Sequence, residues 1–228
     1  MMKRLRFAKN RVLGSLAAPV LTKFVYPRCY FNPPRPERHI WIEPDSIRGW
    51  YQYARFRELS FPGRVSGGNW EEKIRPSEIV FSCRRDNKIN STITHFRDGV
   101  PWIETGLFTS RYAKSMDNAS LLSLAEEYKK YDRLFEKAKV SGLLPPSKEK
   151  GISPMFIHIG PRGEIYWTCD GNHRLGIAIV LELSIPVIVL NRHTEWQDIR
   201  DKAMLNPSAL DSQILNHPDL ADVVIPNE

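Results

Sequence analysis

The chain has 228 residues, 42% apolar and 26% charged, with a formal net charge of +7. That composition supports one good hydrophobic core and excludes collagen-like and intrinsically disordered classes. The positive balance favours anionic partners without choosing among nucleotides, nucleic acid and acidic lipid. The three cysteines, Cys29, Cys83 and Cys169, are far apart and show no CxxC spacing. A disulfide framework and a zinc ribbon are therefore not expected, and a reducing cytoplasm fits.

Much of the basic excess sits at the front, where Lys3, Arg4, Arg6, Lys9 and Arg11 precede any acidic residue. The uncharged stretch Val12 to Thr22 is 11 residues long and contains Pro19, too short to cross a bilayer. Three readings stay open for residues 1–26: a signal-like h-region, a basic amphipathic anchor with Leu5, Ala8, Val12, Leu16 and Val20 at helical spacing, or a short helix docked on the domain. Residues 27–38 are rich in Pro and Arg and read as a linker. Together, residues 1–38 read as a basic tail and linker.

His39–Ile42 reads as a short strand, and Pro44–Ile47 as a turn or helix start with Asp45 or Ser46 as its cap. Gly67-Gly68-Asn69-Trp70 reads as a turn with Trp70 anchored in the core. Residues 89–115 read as helical in pieces, broken at Arg97–Trp102. Leu121, Ala125, Tyr128, Tyr131, Phe135 and Ala138 step by three or four, which predicts a long amphipathic helix stopped by Gly142. Its two tyrosines fall on the core stripe, and Glu126 with Lys130 forms an i,i+4 pair on the wet face. Met155–Ile159 and Glu164–Trp167 flank Gly160-Pro161-Arg162-Gly163 and read as a hairpin. Ile185–Leu190 reads as a buried strand, and Thr194–Met204 as a last helix with Thr194 as N-cap. Residues 206–228 read as a loosely attached tail.

The richest segment is Thr168-Cys169-Asp170-Gly171-Asn172-His173-Arg174, between the Ile165–Trp167 strand and the apolar run Leu175–Leu183. A strand, a tight turn and a helix start in so few residues leave backbone N–H groups without helical partners, positioned to suit a phosphate. Gly171 permits the turn, and Arg174 supplies a planar fork of donors. A cation in a first helical turn opposes the macrodipole, which favours a bound anion over an ion pair with Asp170 or Glu164. His173 is read as a phosphate donor or proton shuttle on the strength of its near-neutral pKa. Asp170 is read as a helix cap, or as a Mg²⁺ holder or general base toward a hydroxyl acceptor. Cys169 reads as an inert thiol, and no ligand spacing supports a metal site from His158, His173 and His193.

The string Ile165-Tyr166-Trp167-Thr168-Cys169-Asp170-Gly171-Asn172-His173-Arg174-Leu175-Gly176-Ile177-Ala178, followed by Ile185-Pro186-Val187-Ile188-Val189, resembles the ParB/sulfiredoxin superfamily. Trp41-Ile42-Glu43-Pro44-Asp45-Ser46-Ile47 resembles that domain's opening. Gly67–Trp70, Asp98–Thr105 and Arg192–Trp196 resemble elements of ParB-like proteins. The clear match covers about residues 151–192, with a weaker one over 39–48. The resemblance implies an α/β (α+β) domain over residues 39–205, a small mixed sheet with flanking helices and a helical insertion at about 60–147.

It further implies that Gly171, Asn172, His173 and Arg174 form a Gly-x-x-Arg nucleotide-phosphate loop for ATP, ADP or CTP with Mg²⁺. Sulfiredoxins place a catalytic cysteine where Asn172 stands here, which argues against sulfinic-acid reduction. Partition clamps continue into a helix-turn-helix domain, whereas 35 residues follow His193 here, which argues against a DNA clamp. The expectation is thus a nucleotide-binding protein, with phosphate transfer to a small hydroxyl compound, or nucleotide hydrolysis, as the activity. Asp170 and His173 are then the candidate catalytic residues and Asp170 the metal ligand. The rival is a non-catalytic nucleic-acid or membrane-surface adaptor acting through residues 1–26, at the inner face of the membrane.

Overall fold

A computed structural model describes residues 18–50, 61–76, 88–112, 117–146, 154–168 and 170–223. Its strands are β1 (His39–Ile42), β2 (Ile47–Trp50), β3 (Arg64–Ser66), β4 (Arg75–Pro76), β5 (Met155–Ile159), β6 (Ile165–Trp167) and β7 (Ile185–His193). The α-helices are α1 (Tyr26–Cys29), α2 (Lys88–Asp98), α3 (Asn118–Ser141), α4 (Asn172–Leu181), α5 (Thr194–Leu205) and α6 (Ser212–Leu215). The architecture is mixed α/β, as the sequence leads one to expect.

The run foreseen as a buried strand becomes β7, three residues longer, and it organises a seven-stranded sheet in the order β1-β7-β5-β6-β2-β4 with β3 also on β7. β5 lies parallel along one edge of β7. The other edge is shared: β1 pairs antiparallel with its first half, and β3 runs parallel to its end. Successive β7 residues point to opposite faces, yet all but Ile188 are buried. Both faces of this strand are therefore covered, which explains its near-continuous apolar sequence. The Gly160–Gly163 hairpin joins β5 to β6 as predicted, and β6 pairs parallel with β2.

α4 is apolar on every side because it lies between layers. Leu175, Ile177 and Ala178 are fully buried, and the helix packs on β5 and β7 as well as on α2 and α3. Gly176 makes the α2 crossing close: a Cβ there would lie 2.8 Å from the Thr92 Cβ. α3 is the long helix read from its periodicity, capped by the Asp117 side chain and ended by Gly142 in the left-handed region. Phe135 stacks on Phe96 of α2 with ring centroids 4.1 Å apart.

Several expectations need correction. The span at about 60–147 is not purely helical, since β3 and β4 join the main sheet. The linker at 27–38 begins inside α1, and its Asn32 is buried against α5, where the Asn32 carbonyl accepts from Gln197. Neither Asp45 nor Ser46 caps the short helical turn at Pro44–Ser46; the cap position is Glu43. Glu126 pairs with Lys129, not Lys130, whose ammonium lies over the Tyr131 ring. α5 is capped by the His193 side chain, which accepts from the Glu195 N–H, and Thr194 is its first residue.

The stretch after Asn206 is not loose. α6 and two short helical turns follow α5, and Asp219 and Leu220 are fully buried. Asp219 accepts from Arg192 Nε at 2.8 Å and Nη2 at 2.6 Å, and from Trp196 Nε1 at 3.0 Å. Arg200 bonds the Asp219 backbone carbonyl and pairs with both Asp219 and Asp222. Arg38, just before β1, completes the cluster at 2.6 Å from Asp222. Burial alone would raise the Asp219 pKa, but the charges and hydrogen bonds of Arg192 and Arg200 outweigh it and hold the carboxyl well below the usual range. Asp219→Asn strands these buried cations and is expected to cost about 3–5 kcal/mol in urea unfolding at pH 7. Because the folded pKa is depressed, the Asp219 contribution is complete above about pH 4 and fades on further acidification. The variant therefore loses less stability than the wild type on titration below that point.

Candidate functional site

The loop after β6 is clamped to the start of β5. Thr168 donates to the Phe156 carbonyl through its N–H at 3.2 Å and its hydroxyl at 2.9 Å. The Trp167 indole N–H donates to the Asp170 carbonyl at 2.8 Å. Gly171 then turns at φ +72°, and a Cβ on it would lie 3.0 Å from Met155 Cα and 3.1 Å from Met155 N. Both the backbone angle and the space beside β5 thus require glycine.

α4 begins directly after this turn. Gly171 occupies the N-cap position, no side chain caps the helix, and its first turn holds no acidic residue. The capping role expected of Asp170 is therefore not made. The first-turn amides keep their partial positive charge, and the turn itself holds no carboxylate to offset it. Cys169 lies outside the described residues.

The side chains of the first turn diverge. His173 enters an aromatic box, with ring centroids 4.1 Å from Tyr131, 5.1 Å from Tyr128 and 6.0 Å from Trp102. The Thr92 hydroxyl donates to the Lys88 carbonyl at 2.7 Å, so the 2.9 Å contact to His173 is a donation from Nδ1–H to Thr92 Oγ1. Burial, aided by Lys88 and Lys130, lowers the His173 pKa to about 3. The ring is neutral at pH 7, so the near-neutral titration expected of it does not hold. Its geometry ties the α4 start to α2 and α3.

Arg174 is 2% exposed. Its Nη2 donates to the Pro145 carbonyl, while Nε has no hydrogen-bond partner. Burial lowers its pKa to about 10, and among the described residues no carboxylate opposes it. The ion pair considered with Glu164 is absent, because Glu164 binds Arg162 at 2.7 Å in the hairpin turn. The neighbouring Asn172 Oδ1 is also buried without a hydrogen-bond partner. A carbonyl dipole is a weak substitute for a counter-charge, so the guanidinium retains unmet capacity for an anion.

The histidines do not assemble. His158 and His193 both touch Trp70, whereas His173 lies in its own box. His193 uses both ring nitrogens, donating from Nε2 to the Gly68 carbonyl and accepting at Nδ1 from the Glu195 N–H. Trp70 is buried, as the turn reading of Gly67–Trp70 required. Among the described residues no group of three or more His, Cys, Asp or Glu is arranged to hold a metal. Sequence reasoning missed the Pro145 carbonyl and the aromatic box, although Tyr128 and Tyr131 on one helical stripe were its visible half.

Compared with family models, curated proteins and solved structures, the chain gives no match. Among the described residues, no helix is long and apolar enough to cross a membrane.

Two outcomes test this geometry. His158 shares the burial-driven depression, to about 3, with Arg64 contributing. Each histidine takes up a proton in the unfolded chain near pH 6.5 but stays neutral in the fold, so stability is complete above that pH and falls between about 6.5 and 3. The expected slope is about 1.4 kcal/mol per pH unit for each ring, and His173→Gln removes one share in urea melts at pH 7.5 and 5. Gly171→Ala, forced into φ +72° against Met155, is expected to cost about 2 kcal/mol or more in the same assay.

Proposed function

We propose that the Gly171–Arg174 turn binds the phosphate of a nucleotide, and that the chain is a divergent relative of the ParB/sulfiredoxin superfamily it resembles. One observation carries the reading: Arg174 is a buried cation in the first turn of an uncapped helix, with an unpartnered Nε and, among the described residues, no carboxylate against it. A phosphate oxygen meets both requirements, charge and geometry, where a structural ion pair is missing.

In this reading the α4 amides and Arg174 hold the phosphates, and Gly171 lets the backbone approach them. His173 positions the turn as a neutral ring. Asp170 is the carboxylate nearest the turn in sequence and would hold Mg²⁺ or orient a small hydroxyl acceptor. Mg²⁺ commonly takes one or two protein carboxylates and completes its shell with phosphate oxygens and water, so a single Asp fits that donor set. The metal would supply neutralisation of phosphate charge. If phosphate transfer or hydrolysis occurs here, its driving terms are positioning and electrostatic stabilisation.

The test is a thermal-shift series with ATP, ADP and CTP, each with Mg²⁺. At about 100 times Kd, one of these is expected to raise the wild-type Tm by about 5 °C. Arg174→Met removes a buried cation that no carboxylate among the described residues neutralises, so its ligand-free Tm is expected to equal or exceed that of the wild type while the nucleotide shift vanishes. No shift with any of the three nucleotides, or a shift that survives Arg174→Met, overturns the assignment.

A further inference from the structure

The net charge of the chain is not distributed. The first 36 residues hold eight Lys and Arg and no acidic residue, while the other 192 hold 25 basic against 26 acidic. The described part of this segment, from Ala18 onward, is fixed to the domain by its buried side. Tyr26 is buried in α1 and its hydroxyl accepts from the Val65 N–H of β3 at 3.1 Å. The N–H groups of Phe31 and Asn32 donate to the two Asp201 oxygens of α5, at 3.2 and 2.9 Å. Asp201 is thereby occupied as an anchor.

That fixation turns large apolar side chains outward. Val20 is 53% exposed and Phe24 59%, four residues apart on one helical face, and Phe31 is 67% exposed. Met204 and Leu205, at the end of α5, are exposed to a similar degree. Phe31 and Met204 line a groove of about 650 Å³ together with Thr22, Lys23 and Pro33–Pro36. Lys23 and Arg35 are exposed on its lining, where Glu37 is the acidic residue, and Arg28 and Lys202 are exposed on the same two segments of chain.

We infer that this face is a docking surface for an anionic lipid bilayer, with Phe24, Phe31 and Met204 entering the interface and Lys23, Arg28 and Arg35 lying against the headgroups. A peripheral membrane contact needs two signals, apolar insertion and charge attraction, and neither alone is durable. Here Phe31 and Met204 share one groove with Lys23 and Arg35. The basic charge argues against a purely apolar protein groove as the counterpart. The exposed phenylalanines argue against a nucleic-acid backbone, which offers no apolar layer to receive them. The inference is independent of the phosphate site, because it uses none of residues 168–174.

The experiment is co-sedimentation of the full chain with vesicles of phosphatidylcholine alone and of phosphatidylcholine with phosphatidylserine. Binding is expected to be roughly tenfold stronger to the phosphatidylserine vesicles and to weaken as salt rises. The double variant Phe24→Ser, Phe31→Ser is expected to lose most of that binding with its Tm unchanged, since both side chains already face solvent. Lys23→Glu with Arg28→Glu is expected to remove the preference for phosphatidylserine. Equal partition onto both vesicles, or full binding by the double phenylalanine variant, overturns the proposal. So does a failure of the chain to bind phosphatidylserine vesicles while it retains a salt-sensitive affinity for duplex DNA. A failed nucleotide shift leaves each of these outcomes unaffected.

Discussion

Among the described residues three guanidiniums lie inside the protein at 2% exposure or less, and what faces each one sets the proposed site apart from the scaffold. A buried charge must be paired or it is costly. Arg192 and Arg200 converge on Asp219, with Asp222 and Arg38 extending the network. That arrangement fastens the C-terminal segment to the end of β7, to α5 and to the approach to β1. Arg174 has a backbone carbonyl in place of a carboxylate. The same chain therefore shows how it neutralises an internal cation when structure is the purpose, and departs from that pattern at one helix start.

The environment of that helix start agrees with the departure. Lys88 and Lys130 act on His173 from α2 and α3, the first turn of α4 carries no acid, and no side chain caps it. Each feature alone is ordinary. Their combination leaves a local excess of positive potential at a point held rigid by the Met155 contact, the Trp167–Asp170 bond and the Thr92–His173 bond. Rigid, pre-oriented donors are what phosphate recognition asks for, because little is then spent on ordering them when the ligand arrives.

Much of the domain could be read from local pattern. The hairpin at Gly160–Gly163, the α3 stripe ended by Gly142 and the apolar β7 run each carry a short-range signature, and each formed close to its expected place. What local pattern does not carry is pairing across distance. β3 and β4 are three and two residues long, too short for a period, and they exist because partners in β7 and β2 are available. The Asp219 cluster escaped for the same reason: a polar, Pro-broken tail looks solvated until Arg192, Arg200 and Trp196 are brought beside it. At the site, the turn was legible from Asp-Gly and the following apolar run. The depressed pKa of His173 was not, because it depends on aromatic rings contributed by α3 and by the Trp102 turn.

The connectivity of β7 bears on how the chain comes to be folded. Its partners are residues 39–42, 64–66 and 155–159, so His39 waits for Ile188 and Arg64 for Asn191. Such long-range closure makes assembly slow relative to helical proteins of equal size. During synthesis β1 and β3 emerge long before the central strand exists, and the nascent chain is carried with those edges open until it does. The sheet closes only after the ribosome has released the stretch that every earlier β-segment on that side was made to meet.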